Sequence, residues 1–326
     1  MEGGCHAFLR DWPGRVGFVL ASQGRNRQER RMSLVPTFST PPGFLGLPPG
    51  RGAGGIAVAG VPLDLGTTNR AGARDGPAAI RRASRMLVDG AHPTTRVDFR
   101  SLSLSDVGDF ALALGDLAGS LAQIEAQAAQ HDHLVALGGE HGISLPLLRA
   151  LARRVGGPLA LVHFDAHLDT WPESFGQRFS HGQPFFHAIA EGLVDPKRMI
   201  QIGIRSPVEP EIMDWTRTQG VTVLSAIEVH ETGPAAIAAR IAGVVGKAPA
   251  YLSFDIDALD PAFAPGTGTP EVGGLASWQA QAILRRIGGL DWRGMDVVEV
   301  APAYDVAEIT ALAAATMAWE YICRAG

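Results

Sequence analysis

The octapeptide "HFDAHLDT" (163–170) sets Asp165, His167 and Asp169 on alternate positions behind the apolar run 159–162. A second apolar run, "YLSFDID" (251–257), ends on Asp255 and Asp257, and His141 follows a third, "HLVALGG" (133–139). Alternate residues of an extended segment share a face, so each set can aim at one place. Bare carboxylates buried together repel and protonate, at roughly several kcal/mol each. Two divalent cations remove that difficulty, because the four aspartates carry −4 and the ions +4. Oxygen-rich ligation with some imidazole and no thiolate favours Mn²⁺-like ions over a structural zinc. A pair of such ions ~3.5–4 Å apart can share a water and lower its pKa from ~15.7 toward neutrality. Taken singly, Asp-x-His-x-Asp or Asp-Ile-Asp suits a polar loop, and His141 after two glycines suits a helix cap. Only their joint occurrence at strand ends argues for a site.

The elements that must position these groups are legible from Gly55 onward. Strands are expected at 56–62, 133–139, 159–165, 199–205, 221–224, 251–257 and 296–302. Helices are expected at 77–87, 116–130, 143–154, 182–191, 208–219, 233–246, 277–288 and 307–323. Near-continuous apolar strands alternating with helices imply a mostly parallel sheet covered on both faces. Such sheets bind ligands at the carboxyl ends of their strands. Glu140 and His141, Asp165, Asp255 and Asp257, and Glu299 late in strand 296–302 all fall there.

Composition narrows the class. The 326 residues carry a formal charge of −5, which gives no reason to expect nucleic acid or an anionic membrane as partner. Lys197 and Lys247 are the only lysines. Two cysteines, Cys5 and Cys323, imply no disulfide framework and fit a reducing cytoplasm. No apolar run approaches the ~20 residues needed to cross a bilayer. Residues 1–52 are rich in Arg, Pro and Gly without periodicity and read as a loosely ordered arm, leaving 53–326 as one α/β domain.

The segments "GGEHGIS" (138–144), "HFDAHLDT" (163–170), "SHGQPF" (180–185), "SFDIDALDPAFAPGTGTPEVGGL" (253–275) and "DVVEVAPAYD" (296–305) together resemble the ureohydrolase family of agmatinases, arginases and guanidino-acid hydrolases. "GTGTPEVGGL" is more similar to the agmatinase branch. The resemblance implies a three-layer α/β arginase-type fold, assembled as a homo-oligomer (trimer or hexamer). It also implies one metal held by His141, Asp165, Asp169 and Asp255, and another by Asp165, His167, Asp255 and Asp257. Mn²⁺ is the expected ion, with Ni²⁺ as the alternative. The implied reaction hydrolyses a guanidinium to urea and an amine. In that reaction Glu299 would grip guanidinium N–H groups with its carboxylate, and His181 would pass a proton to the leaving amine. His163 is expected to support the ligands rather than join them. One departure stands out: the family usually reads Gly-Gly-Asp-His where this chain has Gly-Gly-Glu-His, so Glu140 carries an extra methylene beside a ligand.

Recognition of the substrate's tail is expected from the loops "DLGTTNRAGARDGP" (64–77) and "TWPESFGQRF" (170–179), with Asn69, Trp171 and Phe175 as candidate contacts. These loops look closer to guanidinobutyrase and guanidinopropionase, which favours 4-guanidinobutyrate or 3-guanidinopropanoate. Agmatine, another substituted guanidine or a biguanide is the alternative. Arg70 or Arg74 could meet a substrate carboxylate, though a structural ion pair suits either better. A non-catalytic subunit should have lost ligands, and a one-zinc deacetylase on this fold would not need the full carboxylate set.

Overall fold

The computed structural model of the chain describes residues 43–48, 50 and 54–325. Most of the arm expected at 1–52 therefore lies outside the described residues. Its described part is packed: Phe44 and Leu45 are buried, and their amides donate to Asp106 Oδ2 and Ser84 Oγ, each at 2.7 Å.

Among the described residues eight strands form one sheet. They are β1 (Ile56–Val61), β2 (Leu104–Asp109), β3 (His133–Gly138), β4 (Leu159–Phe164), β5 (Val194–Ile204), β6 (Thr222–Ser225), β7 (Pro249–Asp255) and β8 (Asp291–Val298). Their order is β2-β1-β3-β8-β7-β4-β5-β6, and every pairing is parallel. The helices are α1 (Gly76–Ala83), α2 (Leu117–Ala128), α3 (Ser144–Val155), α4 (Pro184–Ala190), α5 (Pro210–Gln219), α6 (Ala226–Thr232), α7 (Pro234–Val245), α8 (Ser277–Leu284) and α9 (Ile309–Ala325). Prolines sit in the first turn of α1, α4, α5 and α7, where a missing N–H costs nothing. Gly156, at φ 75°, ends α3 in a left-handed turn.

Alternation along each strand splits the core in two. Ala160, Val162 and Phe164 of β4 pack with residues of α1, α7, α8 and α9. Leu159 and Leu161, one residue out of step, pack with residues of α2, α3 and α4. Helices thus cover both faces, giving the expected three layers. Polar groups on such strands find water only beyond the strand ends, so the site belongs there.

Two elements were not foreseen. β2 reads "LSDVGD", with too few apolar or β-branched residues to announce a strand, which suits its place at the sheet edge. α6 is short, and its start is fixed by a reciprocal cap between Ser225 and Glu228. The helix expected at 77–87 is α-helical only to Ala83 and tightens into a 3₁₀ turn at Ser84–Leu87, where the Ser84 hydroxyl bonds the Arg81 carbonyl at 2.7 Å.

Candidate metal centre

The four strands that deliver the candidate residues, β3, β8, β7 and β4, are consecutive in the sheet. Their carboxyl ends open onto one cleft. His141 begins a short 3₁₀ turn after β3, Asp165 follows β4 directly, and Asp255 closes β7. Two residues stand elsewhere than the extended pattern predicts. Asp257 lies in a 3₁₀ turn (Ile256–Ala258), because the Asp255 carboxylate accepts the Asp257 N–H at 2.8 Å and curls the chain. Both carboxylates still reach the site, by a capped turn instead of strand alternation. Glu299 lies one residue past β8, with φ 65°, instead of late within the strand. Asp169 has φ 52°. Left-handed backbone costs a non-glycine residue roughly 1–3 kcal/mol and is held only where surrounding structure demands it.

Five of the six candidates form two neighbouring groups around Asp165, and Asp255 joins the first. His141 Nδ1 lies 3.1 Å from Asp165 Oδ2, 2.9 Å from Asp169 Oδ2 and 3.2 Å from Asp255 Oδ2. His167 Nδ1 lies 3.3 Å from Asp165 Oδ1 and 3.2 Å from Asp257 Oδ2. The two oxygens of Asp165 thus face different imidazoles. All but His167 are nearly inaccessible to solvent.

A hydrogen-bond chain sets the state of His141. Ser253 Oγ donates to Asp296 Oδ1 at 2.6 Å, so it can only accept from His141 Nε2, at 2.7 Å. Asp296 is itself held by Tyr251 OH at 2.9 Å and Ser144 Oγ at 2.6 Å. With its proton on Nε2, a neutral His141 turns the Nδ1 lone pair toward three carboxylates, and Nδ1 has no hydrogen-bond partner. Lone pairs converging on one another fit a cation between them. Without one, protons balance the charge. Burial, with Asp257 and Asp165 alongside, pushes Asp255 well above the carboxylate range. Burial would lower His141, but the Asp165 and Asp169 carboxylates raise it well above an ordinary histidine. Asp165 pays the same burial penalty, yet His163, His141 and His167 hold it well below its usual range. The donor set fits divalent metal.

His163 sits beneath Asp165, hydrogen-bonded on both ring nitrogens. Gln201 Nε2 donates to its Nδ1 at 3.0 Å, leaving Nε2–H to donate to Asp165 Oδ2 at 2.7 Å. Glu140, fully buried, accepts Gly66 N–H at 2.6 Å and the Thr67 hydroxyl at 3.2 Å. Burial and the neighbouring Glu299 push its carboxyl up to about 7.

Glu299 Oε1 accepts the His141 N–H at 2.8 Å and faces His181 Nδ1 at 3.2 Å. Its other oxygen, Oε2, is buried and has no partner. Of the two carboxylate oxygens, only Oε2 is therefore unengaged. Burial opposes the charged form of His181, but Glu299 prevails and raises it to about 9. On its far side, His181 Nε2 meets Thr68 N–H at 3.2 Å and Thr68 Oγ1 at 2.7 Å.

Above these groups opens a cavity of about 370 Å³. Its wall includes Trp171, whose indole N–H donates to Glu209 at 2.8 Å, and its rim includes Phe175, 90% exposed at φ 51°. Thr68 lines the cavity, whereas Asn69, the next residue, does not. Arg74 is paired with Asp64 at 2.6 Å, as a structural ion pair, and Arg70 lies 5.0 Å over the Tyr304 ring.

Ser253, Asp296, Gln201 and Thr68 were not singled out from the sequence. Ser253, Gln201 and Asp296 left a signal: each is a polar residue inside an apolar strand run, and each is buried. Thr68 left none beyond its place in a loop.

A parallel sheet covered by helices on both faces, with carboxylates and imidazoles converging at its central strand ends, defines an α/β protein with a candidate metal site. The chain belongs to the arginase family, whose profile matches residues 54–323. It is 46% identical over 290 residues to an agmatinase of Edwardsiella ictaluri, spanning 86% of this chain and 92% of that one. With a guanidinopropionase of Pseudomonas aeruginosa it shares 44% over 297 residues, 89% and 93% of the two chains. A solved structure of a hypothetical agmatinase from Burkholderia thailandensis superposes with TM-score 0.82 at 44% identity, over 88% of this chain and 91% of the other. Proclavaminate amidino hydrolase from Streptomyces clavuligerus gives TM-score 0.84 at 40% identity, over 90% and 100%.

Proposed function

We propose that the protein is a two-metal amidinohydrolase that cleaves a guanidino compound to urea and an amine. The observation that carries this reading is the convergence of His141, Asp165, Asp169 and Asp255 on one point and of Asp165, His167 and Asp257 on a neighbouring one. The first four residues would hold one ion, and Asp165, His167, Asp255 and Asp257 the other, with Mn²⁺ ahead of Ni²⁺. Ions bound there supply Lewis acidity and a water acidified toward neutral pH.

The protein's own groups do the remaining work. Glu299 Oε2, buried and unpartnered, accepts N–H from the planar cation and fixes the guanidino carbon above the cluster. As the new C–O bond forms and the C–N bond to the tail breaks, His181 hands a proton to the departing amine nitrogen. Its histidinium is available because Glu299 stabilises it.

For the tail, guanidino acids such as 4-guanidinobutyrate or 3-guanidinopropanoate suit the likeness to the Pseudomonas guanidinopropionase. A second reading, agmatine or another guanidine without a carboxylate, is favoured by one observation. The described residues lining the cavity include Glu173 and Glu209 and no lysine or arginine. A cytoplasmic homo-oligomer, trimer or hexamer, completes the proposal, and sedimentation of the purified protein checks its assembly. The deciding experiment loads the protein with Mn²⁺ or Ni²⁺, counts bound metal, and follows urea release from agmatine, both guanidino acids, arginine, guanidine and a biguanide. Bound metal with urea from at least one of them is expected; metal without urea from any points to a non-catalytic subunit.

A further inference from the structure

The extra methylene of Glu140 has a structural partner in the loop after β1. Glu140 is fully buried, and its Oε2 accepts both the Gly66 N–H (2.6 Å) and the Thr67 hydroxyl (3.2 Å). Room for the longer side chain comes from two glycines. A Cβ on Gly66 would lie 2.7 Å from Glu140 Oε1, and one on Gly142 would lie 3.1 Å from it. The same turn also touches His181, whose backbone N–H donates to the Gly66 carbonyl at 3.5 Å. Thr68 then presents both its N–H and its hydroxyl to His181 Nε2, at 3.2 and 2.7 Å. A hydroxyl rotates, so Thr68 Oγ1 can donate to an unprotonated Nε2 or accept from a protonated one. The Thr68 N–H suits only an unprotonated Nε2, so the hydroxyl is the contact that can hold the ring both before and after proton transfer.

We propose that Glu140 and Thr68 are positioning residues for His181: Glu140 anchors the 66–68 turn, and the Thr68 hydroxyl fixes the ring against Glu299. This rests on the reading of His181 as the proton donor. Replacing Glu140 by aspartate, one methylene shorter, withdraws the carboxylate from Gly66 and frees the turn.

The experiment compares Thr68→Val, Thr68→Ser and Glu140→Asp in the full-length protein. It measures kcat and KM for urea release, bound Mn²⁺, and the rate at which diethyl pyrocarbonate acylates His181 in metal-free protein, read by peptide mass spectrometry. Thr68→Val, which keeps the shape and loses the hydroxyl, should lower kcat about 10-fold or more with KM changed less than about twofold. Thr68→Ser should stay near wild type, and bound Mn²⁺ should be unchanged in both. Glu140→Asp should resemble Thr68→Val, and both should speed acylation of His181. A Thr68→Val protein with wild-type kcat and acylation rate, or a Thr68→Ser protein impaired instead, overturns the proposal. Should Glu140→Asp fail to fold, the Thr68 pair decides alone. Absence of urea from every guanidine would defeat the reaction assignment, whereas the acylation rates still decide whether the turn holds His181.

Discussion

Asp165 faces the imidazoles of His141 and His167, at 3.1 and 3.3 Å, so its loss should disturb both proposed metal positions at once. Asp165→Ala is expected to bind no stoichiometric Mn²⁺ and release no urea; wild-type turnover in that variant would falsify the ligand assignment. Glu299→Gln keeps its shape and most of its hydrogen bonds but loses the charge that meets a guanidinium. Metal content should stay whole while kcat/KM falls roughly 100-fold, the scale of a charge-assisted contact made at the reacting centre. Asp296→Asn tests the support for His141. Asp296 fixes the ring through Ser253, and partners of this kind are worth about 10–100-fold in metal affinity. Equilibrium dialysis reads that drop, and unchanged affinity would remove Asp296 from the site. The candidate ligands were legible because Asp, His and Asp at the end of an apolar run contradict their surroundings. Asp296 and Ser253 contradicted theirs too, but a single serine or aspartate within a strand has too many ordinary uses to mark a role.

At the scale of elements, the site depends on close approaches between turns that follow β1, β3 and β8. Gly139 shows how close: a Cβ there would lie 2.4 Å from the Val61 carbonyl oxygen and 2.5 Å from that of Leu63. Those atoms are backbone and cannot swing aside. Gly139→Ala should therefore cost roughly 1–3 kcal/mol, as overpacking does, and thermal denaturation should show a transition lower by several degrees. A transition within a degree of wild type would mean the turn relaxes freely. Strand positions were read to within about two residues for β1, β3, β4 and β7, where burial on both faces demands a continuous apolar run, whereas β8, expected at 296–302, runs over Asp291–Val298 and β5, expected from 199, begins at Val194. The reading failed for β2, which among the described residues pairs with a strand on one side only and tolerates Ser105, Asp106 and Gly108. It failed again at Asp257, drawn into a turn by the Asp255 carboxylate, and at Glu299, one residue past β8 at φ 65°, because such turns leave no periodicity to read.

For the molecule as a whole, acid should weaken the fold away from the metal as well as at it. Burial, aided by Arg293, lowers His133 to about 4. An unfolded histidine titrates near ~6.5, so between these values the unfolded chain binds the extra proton. The stability held by neutral His133 is complete above ~6.5 and drains as pH falls toward 4. Melting curves from pH 7.5 to 5 should show wild type losing more than His133→Gln, and parallel curves would rule this out. Metal added in excess of its dissociation constant should raise the melting temperature in proportion to the logarithm of its concentration, an effect absent from Asp165→Ala.

β8 is the last strand of the chain, yet it lies between β3 and β7 at the middle of the sheet. During synthesis the earlier strands can pair only as two separate ribbons, β2-β1-β3 and β7-β4-β5-β6, until residues 291–298 emerge and join them. Glu299 and the buttress at Asp296 arrive on that same segment, so a nascent polypeptide cannot own a finished pocket before residues 291–299 leave the ribosome. Capture of manganese should then serve as a signal of completed assembly, and chains truncated ahead of β8 should bind none.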